Sequence, residues 1–488
     1  MKKFICIFAG AALLCQVAPA RSNHPVEYQL VRVRVTYQAW NEYRPWQKST
    51  PSSRSFLGTV VSTNRILVLA DCLEDATLIQ VEKFDRPPRI PARIVHCDDQ
   101  VGLAVLTTDE PGFFNDLKPV DMAEIKKDDT FYCAAWKSGQ LNFSSCRWSQ
   151  VKCLNSSVPY FGYAGIYFIT DLKSGGWGEP VFCDNRMVGI TQAQDDDRLT
   201  VIPSDLILAY LRAVDKPDYP GFGRLGFDYQ FNTGKAQAAY FGQSGLPTGI
   251  RILRCFPGGS ADGILFPDDI LLELDGYVIN SEGDYEHPRY GWMDVNLITT
   301  ENHYAGDHLP AKVLRNKKVL TLDIPLKNIP ARAALIPDAR PNQPPPYLIA
   351  GGFVFRELDT PYLKAWGKKW SEEIPVSLRI LNEMQSEQPT PEQKRLLVLA
   401  DVFPDEYNFG YHELSQSIVK TVNGQSVDSI REMEEAFQHP QNGFHIIEFT
   451  PSYGPSKVIL DAEKFNEATR KIMDKYQIPS RIRMNAEK

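Results

Sequence analysis

Two residues between positions 21 and 215 stand where a nucleophile could: Cys72, after the run Ile66-Leu67-Val68-Leu69-Ala70-Asp71, and Ser174, opening Ser174-Gly175-Gly176-Trp177-Gly178-Glu179-Pro180. Either could attack a carbonyl only if a base took its proton and a third group oriented that base. The same stretch offers two histidines, His24 beside a signal-like segment and His96 ahead of the acidic turn Cys97-Asp98-Asp99. His96 reads as a surface or half-buried histidine rather than a base. Asp71, Glu74 and Asp75 surround Cys72 with negative charge, which raises a thiol pKa, so a small buried thiol is the plainer reading. Ser174 reads as a loop serine. Asp98-Asp99 and Asp195-Asp196-Asp197 read as solvated acidic turns, and neither a metal site nor a cofactor is expected.

These residues are carried by short strands. Runs such as Tyr28–Thr36, Ile66–Leu69, Leu103–Leu106 and Met187–Thr191, separated by Gly, Pro, Asn and Asp, predict a mainly β fold with some α, of sandwich or barrel type. Ser204 and Asp205 read as the cap of a helix over Leu206–Ala213. The chain has 488 residues, room for about three domains at roughly 150 residues each. Its 43% hydrophobic and 23% charged residues exclude a disordered or polytopic membrane protein, and no later run is apolar enough for a stable membrane span. A net charge of −7 argues against nucleic acid as a partner.

Residues 1–20 form a signal-peptide pattern: Lys2 and Lys3, the apolar run Phe4 to Val17, then Ala18-Pro19-Ala20. Retention of this segment as an anchor is the alternative. The expected product is exported, periplasmic or secreted, and such a compartment can keep disulfides. Cys72, Cys97, Cys133, Cys146, Cys153, Cys183 and Cys255 follow the signal with no Cys-x-x-Cys pair, leaving both disulfides and buried free thiols open. The units expected are 21–215, 216–330, a Pro-rich linker 331–346, and 347–488 ending in a helix. The last unit partly repeats the second: Leu396–Val402 parallels Gly249–Cys255, and Ile418–Gly424 parallels Ile270–Gly276.

At this point the chain resembles the Deg/HtrA (protease Do-like) family, a trypsin-like double β-barrel followed by PDZ domains, and within it the branch with an atypical second PDZ domain. The resemblance rests on Ile66–Ala76 and Ser174–Phe182, on Asn41-Glu42-Tyr43-Arg44-Pro45-Trp46-Gln47, on Tyr347–Phe355 and on Pro361–Gly367, and runs through essentially the whole mature chain. It also implies a loss. The family's histidine, aspartate and serine positions hold Asp71, Gly102 and Trp177 here, and the turn carries Gly176 and Glu179 where the family has Asn and Gly. Asp71 is a poor base for a hydroxyl at neutral pH, Gly102 has no side chain, and Trp177 has no nucleophilic oxygen and an indole sized to fill a substrate cleft.

The expected function is that of an exported pseudoprotease, a scaffold or chaperone binding peptide C-termini or unfolded proteins through its PDZ domains. An unorthodox or residual protease and a purely structural assembly unit stay open as alternatives. Arg224-Leu225-Gly226-Phe227 resembles the loop whose N–H groups receive a C-terminal carboxylate, with Arg224 at the rim and a groove helix within Trp292–Asn302. Gly352-Phe353-Val354-Phe355 holds the similar place in the last unit. Family members assemble as trimers or multiples through aromatics near the N-terminus. Tyr37, Trp40, Tyr43 and Trp46 suit such a contact, or else pack on their own barrel.

Overall fold

The computed structural model describes residues 25–484 except 85, 128, 138–139, 156–160, 302, 330–332, 339–342, 386–388, 390–392 and 452–455. The signal segment, His24, Asn302 and part of the Pro-rich linker therefore lie outside the described residues.

Two barrels come first. Alternating apolar residues on Leu30–Tyr37 and the continuous apolar runs Arg65–Leu69 and Leu103–Thr107 bury one common core. Their sheet runs Ile90–Pro91, Ala76–Lys83, Leu30–Tyr37, Ser52–Ser62, Arg65–Leu69, Leu103–Thr107, Arg93–Asp98. Its two end strands are almost consecutive in the chain, which curls the sheet into a barrel. The second barrel is closed, in the order Gly162–Thr170, Arg198–Pro203, Arg186–Asp195, Pro180–Cys183, Phe131–Lys137, Gln140–Asn155. Helix Ser204–Val214 packs its apolar face on the shared core. The expected cap does not form: Ser204 lies in the first turn and donates its hydroxyl to the Ala123 carbonyl at 2.7 Å.

The next unit is a sheet ordered Phe227–Phe231, Ile250–Cys255, Ile270–Leu274, His308–Arg315, Lys318–Pro325. A hairpin, Asp284–His287 with Gly291–Asp294, leads into a 3-10 helix, Val295–Thr300, which lies within Trp292–Asn302, where a groove helix was expected. Trp292 to Asp294 are strand, and the helix is a short 3-10 one. Asp294 starts the helix by accepting a bond from the Asn296 N–H.

The last unit is ordered Lys457–Asp461, Phe444–Phe449, Ser417–Val422, Leu397–Val402, Phe353–Glu357, Tyr347–Ala350, Ile482–Arg483, and is closed by helix Phe465–Tyr476. The tandem repeat is visible in three dimensions. Asp275-Gly276 and Asn423-Gly424 turn after equivalent strands, with φ of 51° and 80° in one and 50° and 77° in the other. Two left-handed residues in a row give the mirror-image turn that fits strand twist, which is why Asp or Asn precedes Gly at both places.

The segment Trp40 to Lys48 joins this last unit to the first barrel. Trp46 lies 5.6 Å from Tyr347 and 5.7 Å from Phe403, and Tyr43 lies 5.8 Å from Tyr362 and 5.7 Å from Trp366. The Arg483 guanidinium covers Trp40 at 4.5 Å. Arg356, with no exposed surface, binds the Asp359 carboxylate in a fork at 2.8 Å, the Glu42 carbonyl at 2.9 Å and the Glu42 carboxylate. Trp40, Tyr43 and Trp46 are thus spent on the last unit, neither left exposed for another subunit nor packed on their own barrel. Tyr37 alone stays with the barrel, its hydroxyl donating to the Cys72 carbonyl at 2.9 Å.

Candidate functional site

Asp71, Gly102 and Trp177 come together between the barrels. Strand Arg65–Leu69 pairs with Leu103–Thr107, and the Ala70 N–H donates to the Gly102 carbonyl at 2.9 Å, setting Asp71 beside Gly102. A Cβ on Gly102 would point across the cleft to Gln192 Nε2 at 3.9 Å. A Cβ on Gly178 would meet the Leu57 carbonyl of the first barrel at 3.2 Å, so the turn bearing Trp177 abuts that barrel. Trp177 is 48% exposed, with the Arg54 guanidinium 6.0 Å from its ring. Gly102 has φ +67°, a left-handed conformation that a side chain there would have to tolerate.

The turn is organised by Glu179. Its buried carboxylate accepts bonds from the Gly176 N–H and the Trp177 N–H, each at 2.9 Å, and from the Thr191 hydroxyl. The Thr191 hydroxyl oxygen in turn accepts from the Glu179 N–H at 3.0 Å. In acyl transfer, N–H groups of such a turn stabilise the negative oxygen of the transition state. Here the Glu179 carboxylate already holds one of them, the Trp177 N–H, along with that of Gly176. Sequence reasoning marked Glu179 as a departure and missed this role; an acid two residues after the turn's centre, among glycines that free the backbone N–H groups, was the available signal.

The remaining candidates are spent elsewhere. Cys72 is buried in the turn Asp71–Leu73, and burial, then Asp71 and Glu179, push its thiol up to about 12. Ser174 is exposed on the bend before the turn. His96 is half-buried, with Nδ1 3.2 Å from the Tyr210 hydroxyl and its ring 3.9 Å from that of Tyr219; burial lowers its pKa. Asp98 is not solvated as expected. It is buried, accepting from the Gln100 N–H at 2.7 Å and from the Tyr219 hydroxyl, while Asp195 to Asp197 are exposed. All seven described cysteines are free thiols. Among the described residues no group of three or more His, Cys, Asp or Glu is placed to hold a metal ion, and no helix is long and apolar enough to cross a membrane.

The two loops predicted to receive a carboxylate differ. Gly226 has φ +71°, and Phe227–Phe231 ends its sheet, with Ile250–Cys255 its strand partner. Phe227, Tyr229 and Phe231 form an aromatic ladder, rings 6.4 and 6.2 Å apart. Arg224 is no rim charge. It is 2% exposed and donates Nη2–H to the Ile329 carbonyl at 2.6 Å. The recess beside Gly226, about 30 Å³, is lined also by Phe256, Pro257, Ile329 and Ala334, so linker residues share the space. In the last unit Gly352 has φ +90°, but Phe353, Val354 and Phe355 are wholly buried in a strand paired on both sides, by Tyr347–Ala350 and by Leu397–Val402. That corrects the expectation of a second peptide loop there: the edge a ligand would join is already a strand of this chain.

A family profile described as PDZ domain matches residues 336–483. "Protease Do-like 4, mitochondrial" of Arabidopsis thaliana is 24% identical over 458 residues, covering 92% of this chain and 84% of the relative. "Protease Do-like 2, chloroplastic" of the same plant is 20% identical over 463 residues, covering 92% and 74%. Among solved structures, "HtrA-type protease AlgW with decapeptide" is 17% identical with a TM-score of 0.48, covering 63% of this chain and 98% of that one.

Proposed function

We infer that this chain, a protein of the Deg/HtrA family, binds peptide C-termini or unfolded proteins without cutting them. The observation that carries this reading is the Glu179 carboxylate seated on the N–H groups of Gly176 and Trp177. Losing one such donor costs a serine protease about 2.7–4 kcal/mol of transition-state stabilisation. Here one of them, the Trp177 N–H, is committed to an internal carboxylate together with its neighbour Gly176 N–H, beside positions 71, 102 and 177 that supply no base, no orienting carboxylate and no hydroxyl. The terminal strand Phe227–Phe231 supports the binding half, because a peptide can extend a sheet only where backbone N–H and C=O groups are unpaired.

The test is digestion of unfolded casein by the pure protein, with casein retention measured alongside. Retention without cleavage supports the reading. Time-dependent cleavage that survives Trp177→Ala overturns it. Asp71→His, Gly102→Asp and Trp177→Ser together should stay near background on peptide esters, because Glu179 still holds the turn.

The reading includes export, with residues 1–20 removed and the mature chain in the periplasm or outside the cell. Terminal sequencing of protein from a periplasmic extract tests it, and an intact Met1 speaks against it. It also includes homo-oligomers, trimers or multiples, which sedimentation of the full chain tests.

A further inference from the structure

A cavity of about 400 Å³ opens between helix Ser204–Val214 and the 3-10 helix Val295–Thr300 of the next unit. Small-ligand sites have this size and form preferentially where domains meet. Its floor is apolar and buried, made by Ala164, Leu206, Ala209 and Leu297, and the two alanines leave the space open. Six lining side chains can carry charge, and four of them are spent on one another. Asp205 holds the Arg289 guanidinium and accepts from the Tyr290 hydroxyl at 3.3 Å. The Glu301 carboxylate oxygens lie 2.7 and 2.8 Å from His287 Nε2, and His287 Nδ1 accepts the Arg289 and Tyr290 N–H groups at 3.0 and 3.1 Å. Glu124 and Arg212 are left. Both are exposed, and among the described residues neither side chain makes an ion pair or a hydrogen bond. The Ser204 hydroxyl on the Ala123 carbonyl fixes Glu124 beside the helix's first turn, whereas Arg212 lies in its last turn. At a rise of about 1.5 Å per residue, Asp205 and Arg212 stand about 10 Å apart along the helix axis.

We propose that this cavity binds a free peptide of about three residues, with its ammonium group at Glu124 and its carboxylate at Arg212. An extended chain covers about 3.3–3.6 Å per residue, so about three residues match the separation of the two charges. The intervening side chains rest on the apolar floor, which favours small or apolar residues and disfavours charged ones. The Arg212 guanidinium can meet a carboxylate with two parallel N–H donors, and Glu124 supplies the opposite charge at the far end. The Gly226 loop offers a place for a carboxylate alone. This site needs both termini of the ligand and lies against the second barrel, so the inference does not rest on that loop.

The test is calorimetric titration of the full-length protein with trialanine, N-acetyl-trialanine and trialanine amide. Trialanine should bind, and blocking either terminus should weaken it about tenfold or more, the loss of one charge-assisted contact. Acetylation separates this site from the Gly226 loop, which leaves a peptide's amino end unread. Glu124→Gln should erase the preference for a free ammonium group, and Arg212→Gln should weaken trialanine about tenfold while keeping that preference. Both residues are exposed, and the comparison of the three peptides on the wild-type chain needs no variant to fold. No binding of millimolar trialanine, equal binding of either blocked form, or an acetylation effect that survives Glu124→Gln would overturn the proposal.

Discussion

The unit containing Phe227–Phe231 and the unit containing Phe353–Glu357 share strand order, turn residues and a left-handed glycine just before the comparable strand. They differ in what precedes that glycine. In the first, Arg224 bridges to Lys327, its side chain is held by Ile329, and the strand that follows ends the sheet. In the second, Tyr347-Leu348-Ile349-Ala350 is long and apolar enough to be a strand, and Gly351-Gly352 fold it back onto Phe353–Glu357. Ile482–Arg483 then pairs with Tyr347 and Leu348, and Trp46 packs on Tyr347. One motif therefore yields an open sheet edge or a filled sheet, according to whether the chain satisfies that edge itself.

The largest effect expected of this contrast is at Arg356. Replacing it by alanine leaves the Asp359 and Glu42 carboxylates without their cation, and breaking a buried pair in this way costs about 3–5 kcal/mol. Urea unfolding followed by tryptophan fluorescence should show the last unit melting first. A cost near zero would mean that the Trp40 to Lys48 segment does not hold it.

The two glycines come next. A Cβ on Gly352 would lie 2.4 Å from Asn408 Nδ2 and 2.8 Å from the Phe403 carbonyl, whereas one on Gly226 meets nothing nearer than Gly259 Cα at 3.3 Å. Gly352→Val should cost about 2–5 kcal/mol, combining backbone strain with overpacking. Gly226→Val should cost about 1–3 kcal/mol from strain alone, and should abolish peptide binding. Thermal melts of both variants check the ranking; equal losses would erase the distinction drawn between the loops.

Peptides ending in a free apolar residue should bind the full chain about tenfold more tightly than their amidated forms, a difference of about 1.4 kcal/mol. Fluorescence titration with both forms decides it. Gly352→Val should leave the ratio unchanged wherever the variant is folded. Equal binding of the two forms would remove the carboxylate role from Gly226 and favour an assembly-only function.

The smallest effect is the pH dependence of the last unit. His445 is buried against Phe437 and Phe465, with Nδ1 accepting from Asn423 Nδ2 at 3.1 Å, and burial lowers its pKa. Below its ordinary pKa the unfolded chain then binds more protons than the folded one, so stability is present above that pH and is lost as pH falls. Denaturant midpoints at pH 8 and pH 5 should show the last unit weakening at the lower pH, with His445→Gln flattening the trend.

Much of this was legible in the sequence because it is local. Strand runs and the Asp-Gly and Asn-Gly turns each depend on a few adjacent residues, and Asp71, Gly102 and Trp177 stood out against the family the chain resembles. Arg224 shows the limit: a charge beside a predicted loop reads as exposed, and only the return of Lys327 and Ile329, far along the chain, buries it. The aromatics from Trp40 to Trp46 misled in the same way, since their partners lie hundreds of residues away.

By itself, then, the sequence determined the short strands, the turns and the repeat, because hydrophobic period and turn conformation are properties of single residues and near neighbours; the double barrel and the substituted triad positions came from its resemblance to a family. Tertiary structure alone decided that Glu179 fills the turn's N–H groups, that Arg356 is caged, and which sheet edge stays open. Each of those depends on where distant backbone donors and charges end up. Burial raises the cost of leaving them unpaired and makes that placement decisive.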